Sequence, residues 1–335
     1  MNSSDKQEIK DSTNKIKAIA LFSGGLDSIL AIKLIESQGI KCIAVNFSTP
    51  FYKVKNLEKI KSEYGIEVLD VDVTKEFIEV LQNPKHGYGS AINPCIDCKI
   101  LMMKKAKEMM KEFGAAFIVT GEVEGQRPMS QQKRTMNIIE RESEVKEILL
   151  RPLSAQIFPE TEIERKKMID RSLLLSISGR SRKIQIELAR KYNITDYEQP
   201  SGGCILTEKS FKDKLLDYFK HTENIDHNEL KLLKYGRHFR IGENKFIVGR
   251  NKLENDTLLT LKKASDIEFS AKDFMGPVTI LQGIPDEQSI KTAASLTLSY
   301  SDCNIKSSLV VYDKNKEILT DYVDKNVFND YNISK

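Results

Sequence analysis

The sequence predicts an α/β fold built on a doubly wound parallel sheet, with a helical extension and a smaller C-terminal α+β domain. Three observations lead there. Apolar runs at 16–22, 41–47, 66–72 and 115–120 alternate with helical patterns at 27–38, 55–64, 74–82 and 97–113. Strand alternating with helix argues for parallel strands covered on both faces. Ser23-Gly24-Gly25-Leu26-Asp27-Ser28 lies between the first run and the first helix. Small residues there let backbone N–H groups close on an anion, and the helix start adds partial positive charge. Beyond residue 225, short β-like runs at 238–240, 245–248, 278–281 and 308–312 surround a helix at 287–301, the pattern of a separate α+β domain.

A chain of 335 residues is long enough for two cores. The expected divisions are a disordered tail at 1–15, a nucleotide-binding domain at 16–155, a basic helical extension at 156–224 and the last domain at 225–335, with the polar stretch Thr222 to Asn228 as boundary. No run approaches the roughly 20 apolar residues of a membrane span. The N-terminus has no apolar signal core, so a cytoplasmic protein without a membrane partner is expected. Formal net charge is only +4, but its distribution is uneven. Nine Lys/Arg face three Asp/Glu between Glu164 and Lys191, and seven face one between Lys231 and Lys252. Patches of that kind suit a phosphate backbone, although solvated helix faces read the same way.

Ligands of a parallel sheet bind at the carboxyl ends of its strands. The glycine turn follows the first strand and Thr120-Gly121-Glu122 ends the fourth, so both belong on one rim. The turn is not a Walker A loop, because the Gly-Lys-Ser/Thr ending is missing. Five cysteines without a secretory signal point to a reducing compartment. Cys42, in the second strand, and Cys303, near the end of a helix, read as packing residues. Cys95 and Cys98 form a Cys-x-x-Cys pair at a helix start, where the helix dipole favours thiolate. Cys204 follows the turn Pro200-Ser201-Gly202-Gly203. A redox disulfide, a zinc site, a three-cysteine iron–sulfur cluster with one open iron, and a persulfide relay between Cys98 and Cys204 all remain open on these residues; the cluster reading is preferred.

Ser-Gly-Gly-x-Asp-Ser at 23–28 resembles the PP-loop of the ATP pyrophosphatase superfamily. The order PP-loop, Asn93-Pro94-x-x-x-Cys98 before a helix, Thr120-Gly121 and a late Cys204 after glycines is similar to the tRNA 2-thiouridylases. Having Cys95 where much of that family carries Asp resembles the cluster-dependent tRNA thiolases. The resemblance implies ATP held by Ser23, Gly24, Gly25, Ser28, Phe47, Thr120 and Gly121, with Asp27 holding Mg²⁺, which neutralises charge in phosphoryl transfer. It implies a [4Fe-4S] cluster on Cys95, Cys98 and Cys204, and adenylation of a uridine carbonyl oxygen before sulfur replaces it at C2 or C4. Glu122 stands where the family's Thr-Gly-His has histidine, which removes any role for an imidazole there.

Partners implied are tRNA and a sulfur donor, either sulfide or a cysteine desulfurase; a homodimer is left open. Arg127, after the fourth strand, and Arg180, Arg182 and Lys183, in Ser178-Gly179-Arg180-Ser181-Arg182-Lys183, are candidate RNA contacts. Gly249-Arg250-Asn251-Lys252, Phe274-Met275-Gly276-Pro277 and Ala293-Ala294-Ser295 resemble the NFACT-type RNA-binding domain. In it Arg237, Arg240, Arg250 and Lys252 are the expected phosphate contacts. Sulfur insertion into a small molecule, a PP-loop amide or guanidino ligase, and a non-enzymatic RNA adaptor are the competing functions.

Overall fold

The computed structural model describes residues 16–197 and 204–333. The expected tail at 1–15 and the glycine turn before Cys204 lie outside the described residues. Contacts divide the chain into two units, one of residues 1–89 and 93–204, the other of 90–92 and 205–335.

The first unit is a five-stranded sheet in the order β3-β2-β1-β4-β5. Its strands are β1 (Lys17–Leu21), β2 (Lys41–Ser48), β3 (Val68–Asp72), β4 (Phe117–Thr120) and β5 (Leu149–Leu150). Every pairing is parallel, with Ala18 opposite Cys42 and Phe117, and Ile118 opposite Leu149. Helices α1 (Leu26–Glu36), α2 (Leu57–Tyr64), α3 (Thr74–Gln82), α4 (Cys95–Phe113) and α5 (Lys133–Glu142) connect them. Short α6 (Glu162–Arg165) and α7 (Lys183–Lys191) follow β5. The period-2 alternation of a strand sends neighbouring side chains of β1 to opposite faces. Ala18 and Ala20 pack with Ile29, Leu30 and Ala189 on one face, whereas Ile19 packs with Ile100, Met103 and Ile139 on the other. The sheet is therefore covered on both sides, as the near-continuous apolar runs required.

Two features depart from the sequence reading. Leu149-Leu150 is a fifth strand that no sequence pattern marks; two residues carry no periodicity, and only pairing with β4 defines them. No element is read at 133–142, where α5 forms and buries Met136, Ile139 and Glu140 against the sheet.

The second unit holds α8 (Lys209–His221), α9 (His227–Leu232), α10 (Lys252–Leu261) and α11 (Glu287–Ser299). Its strands are β6 (Arg237–Ile241), β7 (Asn244–Val248), β8 (Ile267–Ala271), β9 (Thr279–Gln282), β10 (Ser307–Tyr312) and β11 (Lys316–Asp321). They form one antiparallel sheet in the order β11-β10-β8-β9-β7-β6. Ala293, Leu296 and Leu298 of α11 pack on Phe239, Phe246, Phe269 and Val310. The α+β reading holds, while α10, β8 and β11 go unread because each buries only one or two side chains or none. The chain divides after Cys204 rather than within 222–228: the Ile92 N–H donates to the Leu206 carbonyl at 3.1 Å, and α8 belongs to the second unit. Asp226 instead caps α9, accepting from the Asn228 and Glu229 N–H groups. Cys303 falls beyond the end of α11, its thiol donating to the Ile305 carbonyl at 3.4 Å. No helix among the described residues is long and apolar enough to cross a membrane.

The sheet of the second unit buries an unusual set of cations. Lys214 Nζ donates to the Gly236 carbonyl at 3.0 Å, Lys245 Nζ lies 4.0 Å from Asp217, and His238 is fully buried, with Nε2 against the Tyr235 carbonyl at 2.8 Å. Burial pulls Lys214 and Lys245 down to about 8 and keeps the His238 ring neutral. A lysine whose folded value lies below its unfolded one costs stability while charged; the unfolded chain binds more protons as pH rises from 8, so the cost shrinks. The urea midpoint should therefore climb between pH 8 and pH 9.5, and Lys214→Met should flatten that climb while raising the midpoint at pH 7.5.

Candidate active site

The glycine turn joins β1 to α1. Gly24 has φ +71°, a left-handed conformation that glycine adopts without strain. Gly25 is the extended residue before α1, and no side chain caps the helix start, so its first N–H groups face outward toward a ligand. Ser28 is buried; its hydroxyl donates to the Gly25 carbonyl at 2.7 Å and accepts from the Ser23 N–H at 3.3 Å. Tyr52 donates its hydroxyl to the Ser23 carbonyl at 2.7 Å and fixes the exposed end of the turn.

The fourth strand closes on this turn, as its placement on the same rim required. A Cβ on Gly121 would lie 2.5 Å from the Asp27 carbonyl and 2.6 Å from the Ser28 nitrogen. Only glycine lets the end of β4 approach the start of α1 so closely. Thr120 is buried beside it, with its hydroxyl 3.4 Å from Glu122. Phe47, near the carboxyl end of β2, is 3% exposed and packs with Val45, Val73, Ile100 and Met103 in the core.

Asp27 sits in the first turn of α1. One carboxylate oxygen accepts from Gln126 Nε2 at 2.7 Å, and the other is buried with no hydrogen-bond partner. Burial raises its carboxyl above the ordinary range, while Gln126, Arg182 and Arg127 act in the opposite direction. A half-buried carboxylate with one buried, unsatisfied oxygen, beside a glycine turn, suits Mg²⁺, which takes one or two carboxylates together with phosphate oxygens.

The influence of Arg127 and Arg182 on Asp27 places both guanidinium groups near the phosphate turn. The 178–182 segment is brought there by backbone. The Gly179 N–H donates to the Glu124 carbonyl at 2.7 Å, and Gln185 of α7 donates to Gln126 Oε1 at 2.8 Å. Arg182 is half-buried and its Nε finds no partner, whereas Arg180 and Lys183 are exposed. Gln126 and Gln185 escape the sequence reading because an amide carries no motif; only the Gly125-Gln126 step after a strand end marks the first.

Cys95 and Cys98 open α4, with the Cys98 N–H bonded to the Pro94 carbonyl at 2.8 Å. The Cys98 thiol feels the charges of both Cys95 and Cys204, so the three cysteines are neighbours, and Cys204 is exposed. Thiolate is not favoured at Cys98: burial pushes its thiol up to about 12, and Lys99 only partly counters this. Desolvation outweighs the helix dipole. Among the described residues no three His, Cys, Asp or Glu side chains are placed to hold a metal ion together.

Glu122 carries the charge balance of this region. It is 4% exposed, 3.1 Å from Lys99 Nζ and 3.2 Å from Arg151 Nε. Arg151 is buried too and also pairs with Glu140 of α5. The two cations keep the Glu122 carboxyl below its ordinary range despite desolvation. Lys99, Glu122 and Arg151 are separate in sequence, and nothing local announces their meeting.

In the second unit the expected RNA contacts divide. Arg240 donates two hydrogen bonds to the Asp217 carboxylate, at 3.1 and 2.6 Å, and Arg250 pairs with Glu254 at 2.6 Å. The Arg237 guanidinium stacks over Tyr300, 4.9 Å from the ring centroid. Lys252 is exposed at the start of α10.

Two substitutions test this geometry. Gly121→Ala should force β4 from α1 and weaken ATP binding measured by calorimetry, with about 1–3 kcal/mol of lost stability as in other overpacked sites. Glu122→Gln leaves Lys99 and Arg151 facing each other and should lower stability by about 3–5 kcal/mol in urea unfolding.

Comparisons with known proteins agree with this layout. Residues 13–162 match the family model described as thiamine biosynthesis protein (ThiI), and residues 236–334 match that of the NFACT protein RNA binding domain. A probable tRNA sulfurtransferase of Thermococcus kodakarensis is 32% identical over 145 residues, covering 41% of this chain and 36% of that protein. The tRNA-specific 2-thiouridylase MnmA of Nitratiruptor sp. is 29% identical over 115 residues, covering 31% of this chain and 34% of the relative. The chain thus spans about a third of the length of the curated relatives it matches. A solved 4-thiouridine synthetase in complex with RNA and bound ATP is 21% identical, covers 65% of this chain and 52% of its own, and superposes with a TM-score of 0.37. In sequence order the chain carries a PP-loop domain of the ThiI family and a domain of the NFACT RNA-binding family.

Proposed function

We propose that the protein is an ATP-dependent tRNA sulfurtransferase that replaces a uridine carbonyl oxygen, at C2 or C4, with sulfur. The observation that carries this reading is the grouping of Cys98 with Cys95 and Cys204 in the unit whose PP-loop leaves the buried Asp27 oxygen open. ATP binds with its phosphates on the 23–28 turn. Asp27 holds Mg²⁺, and Arg127 and Arg182 add positive charge near the same turn. The uridine oxygen attacks the α-phosphorus, pyrophosphate leaves, and the adenylate converts a poor leaving group into AMP. Thr120 and Gly121 line the wall against which this occurs.

Sulfur is carried on cysteine. A persulfide on exposed Cys204 attacks the activated carbon through its terminal sulfur and AMP departs. Cys98, deprotonated in the step, then attacks the Cys204 sulfur, releasing thiouridine and leaving a Cys98–Cys204 disulfide for an external thiol to reduce. The donor that loads Cys204 is sulfide with an oxidant, or a persulfide-bearing protein such as a cysteine desulfurase. The NFACT-type domain supplies RNA contact through Lys252, Arg237 and neighbours. Its acidic and basic side chains are equal in number, so binding is local and weakens with salt.

Purified protein, unmodified tRNA, Mg-ATP, a persulfide donor and a thiol reductant should yield AMP, pyrophosphate and thiouridine in equal amounts, with nucleoside mass spectrometry distinguishing the 2- and 4-thio products. Asp27→Asn and Cys204→Ser should each lower kcat by about 10²-fold or more. Pyrophosphate release that ignores tRNA, or full activity in Cys204→Ser, overturns the reading.

A further inference from the structure

Cys98 is flanked in sequence by two charged residues, and each is tied to a different part of the first unit. On one side Lys99 reaches the buried Glu122 at 3.1 Å. On the other, Asp97 is buried although it lies in the first turn of α4, and it does not cap its own helix. Its Oδ2 accepts the His86 backbone N–H at 2.9 Å, and its Oδ1 meets His86 Nδ1 at 2.8 Å. The second ring nitrogen, Nε2, meets Glu142 Oε1 at 3.1 Å, at the end of α5. Lys85 holds the other oxygen of that carboxylate at 2.7 Å, and Arg141 lies 3.8 Å from Oε1. Both ring nitrogens face carboxylate oxygens, so both contacts are hydrogen bonds when each nitrogen bears a proton.

An α-helix turns about 100° per residue. Asp97 and Lys99 therefore leave the axis about 100° to either side of Cys98, while Cys95 lies one turn earlier on the face of Cys98 itself. A helix start held on one flank can still roll about that contact. Held on both, it cannot, and the face between the two contacts is fixed. That face carries the Cys-x-x-Cys pair.

We propose that His86 is a positioning residue for the two thiols: by bridging Asp97 to Glu142 it locks the rotation of the α4 start and fixes the face that carries Cys95 and Cys98. His86 touches neither cysteine. The inference deepens the sulfur-transfer reading and rests on it for its kinetic arm, while a second arm reads thiol geometry alone.

The test uses the full-length protein with His86→Ala and His86→Asn. An asparagine amide retains a donor near the place of Nδ1 and so keeps the Asp97 bond. In His86→Ala, site-resolved alkylation of Cys98 should quicken several-fold, and kcat for thiouridine formation should fall on the order of tenfold with KM for ATP unchanged. His86→Asn, which keeps the Asp97 contact but not the reach to Glu142, should recover each only in part. Wild-type Cys98 reactivity and kcat in His86→Ala overturn the proposal, as does an asparagine variant no better than alanine. Should His86→Ala fail to fold, Asp97→Asn, which keeps an acceptor for the His86 amide, carries the same expectation for Cys98. A wild-type protein that makes no thiouridine sinks the enzymatic reading instead, and the alkylation arm still decides whether the clamp exists.

Discussion

The Glu122 carboxylate, buried between Lys99 and Arg151, is the contact on which the arrangement of the first unit turns. Removing a carboxylate from water is costly, and two cations together with the Thr120 hydroxyl offset that cost only if all four groups arrive together. Their arrival fixes the end of β4, the start of α4, the step after β5 and, through Glu140, the flank of α5. The same strand end presents Gly121 to the phosphate turn. One buried charge cluster therefore sets the distance between the nucleotide-binding rim and the helix that carries Cys95 and Cys98.

Around it the site divides its labour by chemistry. The turn at 23–28 offers backbone N–H groups and a helix start, which suit anions. Asp27 offers one unsatisfied oxygen, which suits a cation. Arg127 and Arg182 act on that carboxylate and favour its charged form. Exposed Arg180 and Lys183 remain available for nucleic acid. The thiols differ in setting: burial pushes the Cys98 thiol up to about 12, while Cys204 is exposed.

The second unit shows why a basic stretch of sequence is a poor guide to a binding face. Arg240 is consumed by Asp217 and Arg250 by Glu254, while Lys214 and Lys245 are buried among backbone carbonyls and Asp217. The run between 231 and 252 that looks like a phosphate track thus spends much of its charge internally. Of its remaining cations, Arg237 lies over Tyr300 and Lys252 is exposed at the start of α10.

The amino-acid sequence determined on its own the four main strands, the helices between them, the glycine turn and the Cys-x-x-Cys helix start, because each is written in a local period or in adjacent residues. It also carried the likeness to a PP-loop enzyme and to an RNA-binding domain, since both lie in short contiguous motifs. Tertiary structure alone decided β5, which two residues cannot announce, and the fate of Phe47, whose side of the sheet follows from strand register. It decided as well the meeting of Lys99, Glu122 and Arg151, the reach of Gln126 to Asp27, and the protonation of Cys98, where desolvation overrode the helix dipole. Those are properties of distance and burial between residues far apart along the chain, and only the folded packing sets them.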